Sequence, residues 1–245
     1  MTTAAAIIIG DEILSGKVQD TNTRSVIQML HEIGVELVRI VTIGDDPACI
    51  AEEVNRCRWR CDHVITSGGV GPTHDDRTME GVALAFDRGV VRHPDLERVI
   101  RHHWGARVND AALKLSEVPE GARLLASGDG WLPVVAVENV FILPGIPKLF
   151  EAKLVRVREQ LAGGRPRVLH SLYLSADESS IAEVLSRVDD AHDAVKIGSY
   201  PRLGGADYRV HVTVEAAERE DADRALDQLL ELLDAEYVVR VERGS

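Results

Sequence analysis

Cysteine is scarce in this 245-residue chain, with three in all, at positions 49, 57 and 61. An odd count of this kind excludes a disulfide framework and predicts reduced thiols in a cytoplasmic protein. Cys57 and Cys61 stand four residues apart beside Arg56, Arg58 and Arg60. The further ligands a metal site needs are missing nearby, so these thiols are expected to be structural. Long apolar runs are missing too. No window approaches the roughly 20 apolar residues of a membrane span. The apolar stretch 4–9 is short and has no basic lead, which predicts a buried strand rather than a targeting signal. Basic charge is also in deficit: 28 Lys and Arg face 40 Asp and Glu, giving a formal net charge of −12. Such a balance excludes non-specific binding to nucleic acid or to an anionic membrane, because nothing would offset phosphate repulsion.

What is present is an ordinary globular composition, 45% apolar, enough for a sizeable core. Residues 4–9 read as a strand. Residues 21–33 read as a helix, with Val26, Ile27, Leu30 and Ile33 on one face and Gly34 as its stop. Residues 35–43 are a second strand, and Asp46-Pro47 is an N-cap with proline at the first helical position, opening a helix to about residue 59. Residues 62–66 form a third strand and 79–87 a third helix. This β-α-β-α-β-α order predicts an α/β fold, a mostly parallel sheet with helices on both faces and ligands at the strands' carboxyl ends. Residues 92–118 read as a helical insertion, and 132–143 as a hairpin turning near Glu138-Asn139. Leu143-Pro144-Gly145-Ile146-Pro147 then reads as a strand end, a tight turn and a helix start. Gly163-Gly164-Arg165-Pro166 is a plausible linker, dividing a first domain, 1–164, from a second, 165–245. The second follows a β-α-β-β-α-β order, the ferredoxin-like α+β pattern, with Arg202-Leu203-Gly204-Gly205 inside its central connection.

The most informative stretch is Ser67-Gly68-Gly69-Val70-Gly71-Pro72-Thr73. A strand that runs into a glycine-rich loop and then a helix is a standard phosphate cradle, because backbone N–H groups can approach an anion closely. Asp75 and Asp76 follow, and could bind a divalent metal, orient water or cap the helix; Asp76 with Thr78 fits a cap. Gly10-Asp11-Glu12 comes just after the first strand, on the same rim, with Asp20 and Asn22 as candidate helix caps. Asp45 follows the second strand, next to the cap Asp46. Carboxylates alone would repel a phosphate. A divalent cation between them resolves the conflict and activates water. The same carboxylates can also accept from the amino and ring N–H groups of a pterin or purine. His74 is the one histidine inside the loop; no Ser/His/Asp or Cys/His nucleophile arrangement is apparent.

Gly10-Asp11-Glu12-Ile13-Leu14 with Gly16 and Asp20-Thr21-Asn22, the loop 67–73 with Asp75-Asp76, and residues 143–147 together resemble the molybdopterin-binding (MoaB/Mog-like) superfamily. Within it the chain is similar to the competence/damage-inducible protein A family, and most similar to the molybdopterin-binding-like domain of eukaryotic FAD synthases. Leu172-Tyr173-Leu174-Ser175-Ala176-Asp177-Glu178 and Gly198-Ser199-Tyr200-Pro201 extend the likeness into the second domain.

This resemblance implies a glycine loop that holds a ligand phosphate, with Gly10, Pro144 and Gly145 beside it. It implies a functional Asp76, with Asp45 and Asp75 as further catalytic candidates and Asp11, Glu12, Asp45 and Asp76 as candidate metal ligands. One branch implies metal-dependent hydrolysis of ADP-ribose, another of FAD to FMN and AMP, with cobalt or magnesium and potassium as activators. The wider superfamily implies molybdopterin binding without hydrolysis. A third reading is a regulatory module whose pocket is a relic. The residues carry neither the amidase domain of the competence-associated branch nor the adenylyltransferase domain of FAD synthases, so FAD synthesis is not expected. The Gly-Asp-Glu opening favours a dinucleotide substrate such as FAD. Relatives also imply a homo-oligomer, a dimer or trimer, whose partners are small nucleotides or pterins rather than nucleic acid or membrane.

Overall fold

The computed structural model describes residues 2–126, 132–161, 167–202, 204 and 207–244. It divides into two compact units, Met1–Gly164 and Arg165–Ser245. The linker expected at 163–166 lies outside the described residues, as do positions 203 and 205 of the expected central connection.

The first unit begins with β1 (Thr3–Ile9), a four-residue turn of helix α1 (Asp11–Leu14) and α2 (Asn22–Glu32). Then come β2 (Glu36–Ile43), α3 (Pro47–Arg58), β3 (His63–Ser67) and α4 (Thr78–Ala85). An excursion follows, of β4 (Val90–Arg92), α5 (Pro94–Trp104), α6 (Asp110–Lys114) and β5 (Glu117–Pro119). The chain returns through β6 (Arg123–Leu125), β7 (Val134–Val137), β8 (Val140–Leu143) and α7 (Pro147–Gln160). The sheet order is β2-β1-β3-β8-β7-β6. β1 pairs in parallel with β2 and β3, and β3 with β8; β7 is antiparallel to β8 and β6.

Strand alternation divides the core between the two faces. Ala5, Ile7 and Ile9 of β1 pack with Ile50 and Val54 of α3 and Val82 of α4. Ala4 and Ala6 face the other way, toward Val26 and Leu30 of α2 and Phe150 and Leu154 of α7. Full burial of each large apolar side chain contributes roughly 1.5–3 kcal/mol. Asp46 caps α3 as expected, accepting from the backbone N–H of Ala48 and Cys49 at 2.9 and 3.0 Å. The hairpin turns at Glu138-Asn139, with Glu138 at φ 50°. The Asn139 amide then ties the turn to the carbonyls of Arg58 and Cys61.

β1 lies between β2 and β3, so the chain leaves it toward one side and later crosses to the other. The carboxyl ends of β1 and β3 therefore flank a topological switch point, the crevice where open α/β sheets hold ligands. The excursion is more than helical: β4 and β5 pair as a short antiparallel ribbon at its base, Val90 opposite Pro119. Three-residue strands carry too little period for sequence reading to detect.

In the second unit β9 (Val168–Leu174), α8 (Glu178–Ala191), β10 (Val195–Pro201), β11 (Val210–Ala216), α9 (Arg219–Leu232) and β12 (Val238–Glu242) follow one another. The sheet is antiparallel, in order β10-β11-β9-β12. Leu172, Leu174, Val212 and Val214 point to the side where α8 and α9 supply Ile181, Val188, Leu226 and Leu229. Buried His170 is held on both ring nitrogens: Nδ1 accepts from the Gly244 N–H at 3.0 Å, and Nε2 faces Asp223 at 3.0 Å.

Candidate functional site

The glycine loop begins where β3 ends. Gly68 sits at φ 107°, and a Cβ there would lie 2.1 Å from the backbone oxygen of Ile9. No L side chain fits, because both the dihedral and the neighbouring strand forbid it. The Gly68 N–H continues the sheet to Leu143 O at 3.1 Å. The carbonyls of Gly68 and Gly69 are then taken up by Thr78, through its hydroxyl at 2.8 Å and its N–H at 2.9 Å. Thr78 thus fastens the loop to the first turn of α4.

Asp76 closes the loop. Its Oδ2 accepts from the Thr73 N–H at 2.9 Å and from the Thr73 hydroxyl. The fit is tight, since a Cβ on Gly71 would stand 2.5 Å from that same oxygen. This corrects the expectation that Asp76 and Thr78 cap α4: the cap position is Arg77, without a side-chain cap bond. Asp76 turns back to Thr73 instead. Lys114 at the end of α6 completes the clamp, its Nζ donating to the carbonyls of Thr73 and, at 3.0 Å, Asp76.

The acids of the first two strand ends meet as well. Asp45 Oδ2 accepts from the Asp11 N–H at 2.9 Å across 34 residues of sequence. Burial pushes the Asp45 carboxyl above the usual carboxylate range, and the charges of Asp11, Glu12 and Asp75 push it further. Asp75 moves the other way: the Thr73 hydroxyl, which it shares with Asp76, and its own backbone N–H hold it low. His74 is solvent-facing, its side chain 99% exposed.

Asn22 supplies an interaction that capping does not explain. Its Nδ2 donates to Ser67 Oγ at 2.9 Å and to Gly145 O at 2.8 Å, fixing the β8–α7 turn against the end of β3. The N-cap position of α2 is Thr21, without a side-chain cap bond, and Asp20 just before it accepts from the Thr23 N–H at 3.1 Å.

The glycine loop, Asp76 and the β8–α7 turn border a cavity of about 470 Å³. Glu12, Gly68 to Pro72, Asp76, Pro144 and Gly145 form one part of its lining. Met79, Leu96, Leu115, Leu132, Val135, Ile142 and Leu149 make the rest largely apolar. Lys153 borders it too, buried, with its Nζ on Leu132 O. An apolar slot with a few convergent polar groups is the usual character of a small-molecule site.

Of the residues expected at the site, Glu12, Gly68, Gly69, Val70, Gly71, Pro72, Asp76, Pro144 and Gly145 border the cavity. Gly10, Asp11, Asp45, Ser67, Thr73 and Asp75 do not border it. Gly10 extends β1 by its N–H to Ile43 O at 3.0 Å. Lys114, Lys153 and the apolar wall were not foreseen. A signal existed for Lys153, which occupies a position on the apolar stripe of α7 marked by Phe150, Leu154 and Val157.

The donor chemistry suits a hard divalent cation, since Asp11, Glu12, Asp45 and Asp75 offer only oxygen. Among the described residues no three His, Cys, Asp or Glu side chains converge as a ligand set. Mg²⁺ in general is held by one or two carboxylates together with water and substrate phosphates. Asp76, engaged with Thr73, is the weakest ligand candidate of the four expected.

Comparison with known proteins matches residues 5–162 to a family model described as "Probable molybdopterin binding domain" and residues 166–242 to "FAD synthase, middle domain". A "Probable FAD synthase" of Caenorhabditis elegans is 33% identical, over 94% of this chain and 50% of that protein. A "CinA-like protein" of Frankia casuarinae is 31% identical, over 90% of this chain and 55% of that one. The chain thus spans about half the length of these curated relatives. Among solved structures, a protein CinA of unknown function from Thermoplasma acidophilum matches with a TM-score of 0.60 at 29% identity, covering 65% of this chain and 98% of that one.

Proposed function

The chain belongs to the molybdopterin-binding-domain (MoaB/Mog-like) family, and from that premise we propose that it is a metal-dependent hydrolase of a dinucleotide pyrophosphate, ADP-ribose or FAD, releasing AMP. The observation that carries this reading is the juxtaposition of an ordered glycine loop with a cluster of repelling carboxylates at one switch point. The loop supplies backbone N–H groups for the pyrophosphate, and the apolar cavity takes an attached heterocycle. One or two of Glu12, Asp11 and Asp45 would hold a divalent metal, which when bound would offset phosphate charge and acidify water. Asp45, whose Oδ2 is set by the Asp11 N–H beside Glu12 at the strand ends, is the carboxylate we assign to accept a proton from the attacking water. Asp76 fixes Thr73 and so the shape of the loop. Water adds across one P–O bond of the anhydride, and AMP leaves with the other half as a second phosphomonoester.

The name FAD synthase supports an enzyme acting on a nucleotide; Mg²⁺ or Co²⁺ as activator and K⁺ as a second ion belong to the same proposal. The reduced thiols suit a cytoplasmic setting, and among the described residues no helix is long and apolar enough to cross a membrane. A homo-oligomer, dimer or trimer, belongs to the same proposal. The test is incubation of the purified chain with ADP-ribose and with FAD, with and without Mg²⁺, Co²⁺ and K⁺, followed by chromatography for AMP. Metal-dependent AMP that disappears in Asp76→Ala and Asp45→Asn supports the assignment, and turnover that survives both substitutions sinks it. The family match itself favours a second reading, molybdopterin binding without hydrolysis. There no AMP forms, and a pterin copurifies with the chain.

A further inference from the structure

We propose that Lys114 is a positioning residue for the ligand's phosphate: carried by α6, its ammonium draws two carbonyls of the segment after the glycines into place and so orders the loop before a ligand arrives. The inference rests on the loop holding a nucleotide phosphate, as proposed above.

Residues 70–77 belong to no strand or helix, and the bond from the Thr78 N–H to Gly69 O closes the segment at its base. The contacts of Asp76 with Thr73 lie within the segment, so they set its local shape without fastening it to the rest of the fold. Arg77 pairs with Glu80 of the helix that follows, at 2.9 Å. Among the described residues, Lys114 is the one side chain beyond α4 that hydrogen-bonds the segment. Its Nζ donates to Thr73 O and, at 3.0 Å, to Asp76 O. An ammonium only donates, so it can meet carbonyls and nothing else of the backbone. Each peptide unit is planar, so fixing those carbonyls also fixes the N–H groups of His74 and Arg77, which point the opposite way.

The support behind Lys114 is itself well held. Ala112 and Leu113, next to it on α6, are buried with Ile100 of α5. The Asn109 side chain caps α6, accepting from the Ala112 N–H at 2.8 Å. Ser116 O accepts from the His93 N–H at 2.8 Å, where the excursion closes on itself. Lysines near a surface usually extend the head group into water. Lys114 instead reaches back 41 residues to Thr73. Leu115, the next residue, borders the cavity. The excursion therefore supplies both an apolar wall for the ligand's ring and the tie that holds the loop for its phosphate. A loop ordered in advance spares the ligand the entropy of ordering it, and that saving appears as affinity.

The experiment is calorimetric titration of the full chain and of Lys114→Met, Lys114→Gln and Lys114→Arg with FMN, riboflavin, AMP and adenosine, Mg²⁺ present throughout, alongside thermal melts. The parent chain is expected to bind FMN and AMP more tightly than riboflavin and adenosine. In Lys114→Met the two phosphate-bearing ligands should weaken by about tenfold, the scale of ordering one backbone residue on binding, while riboflavin and adenosine hold within about twofold. Lys114→Arg, whose guanidinium can donate to both carbonyls, should recover part of the loss. Lys114→Gln, a neutral donor, should fall between, and it carries the comparison where the Met variant melts early. A Cβ on Gly71 would displace the Asp76 carboxylate and loosen the same loop. Lys114→Met combined with Gly71→Ala should therefore cost no more affinity for FMN than the larger single change. Unchanged FMN affinity in Lys114→Met overturns the role of Lys114 alone. Equal losses for FMN and riboflavin also overturn it, because Lys114 would then serve the fold or the cavity as a whole. Losses that multiply in the double variant overturn it too, because the ammonium would then act on the phosphate independently of the loop. A parent chain that binds none of the four ligands overturns the nucleotide reading, and this inference with it.

Discussion

Placing a methyl group on Gly71 should separate the loop's binding role from the stability of the fold. In Gly71→Ala the new Cβ stands 2.5 Å from Asp76 Oδ2 and 2.9 Å from its Cγ. The Asp76 carboxylate has to swing away, and it then loses the Thr73 N–H and hydroxyl. Hydrogen bonds to a charged group are worth roughly 1.5–3 kcal/mol each when water cannot replace them. Thr73 is exposed, so water recovers most of that, and the expected loss of folding stability is about 1 kcal/mol. Binding suffers more. Residues 71–73 are no longer fixed in advance, and re-ordering even one backbone residue costs about 1–2 kcal/mol, roughly tenfold in affinity. Urea denaturation gives the first quantity, and titration with AMP or FMN gives the second. Gly89→Ala is the control, because its added Cβ meets nothing within 4 Å. If Gly71→Ala binds within twofold of the parent chain, or if Gly89→Ala is equally damaging, Asp76 does not order the loop.

Asp45→Asn should raise stability at neutral pH, since the parent carboxylate is destabilised there by burial and by Asp11, Glu12 and Asp75. The folded-state pKa lies above the unfolded one, so the parent's penalty is complete above the folded value and vanishes as pH falls through it toward the ordinary carboxylate range. Melting temperatures across that window should therefore converge at acid pH; an asparagine variant that melts lower at pH 7 sinks the electrostatic reading. All three thiols are raised, Cys57 by burial to about 12, but Cys49 alone is exposed while Cys57 and Cys61 are buried. A thiol-reactive dye at pH 7.5 should therefore label one cysteine quickly in the native chain and all three in denaturant. Rapid native labelling of Cys57 counts against its burial.

The main order of strands and helices, apart from the three-residue strands β4, β5 and β6, the cap at Asp46, the hairpin turn at Glu138-Asn139 and the glycine loop between β3 and α4 were legible in the sequence. Each is written locally: a two- or 3.6-residue period, a proline after an aspartate, glycines between a strand and a helix. Local pattern could not say how each polar residue spends its side chain. Asn22 and Asp20 were equal candidates for a cap, but the cap position is Thr21: Asn22 reaches Ser67 and Gly145, and Asp20 accepts from the Thr23 N–H. Asp76 looked like a cap residue and became the clasp of its own loop. Only tertiary structure decided which distant groups share the site. Asp11 meets Asp45 because β1 and β2 are parallel neighbours whose carboxyl ends coincide. Lys114 reaches back 41 residues to Thr73 because the excursion folds over the loop. Lys153 reaches the cavity wall because α7 packs against the face of the sheet that α2 also covers. Sequence period fixes which face a side chain takes on its own element; strand order and crossovers fix which faces meet, and the chemistry of this site arises where they meet.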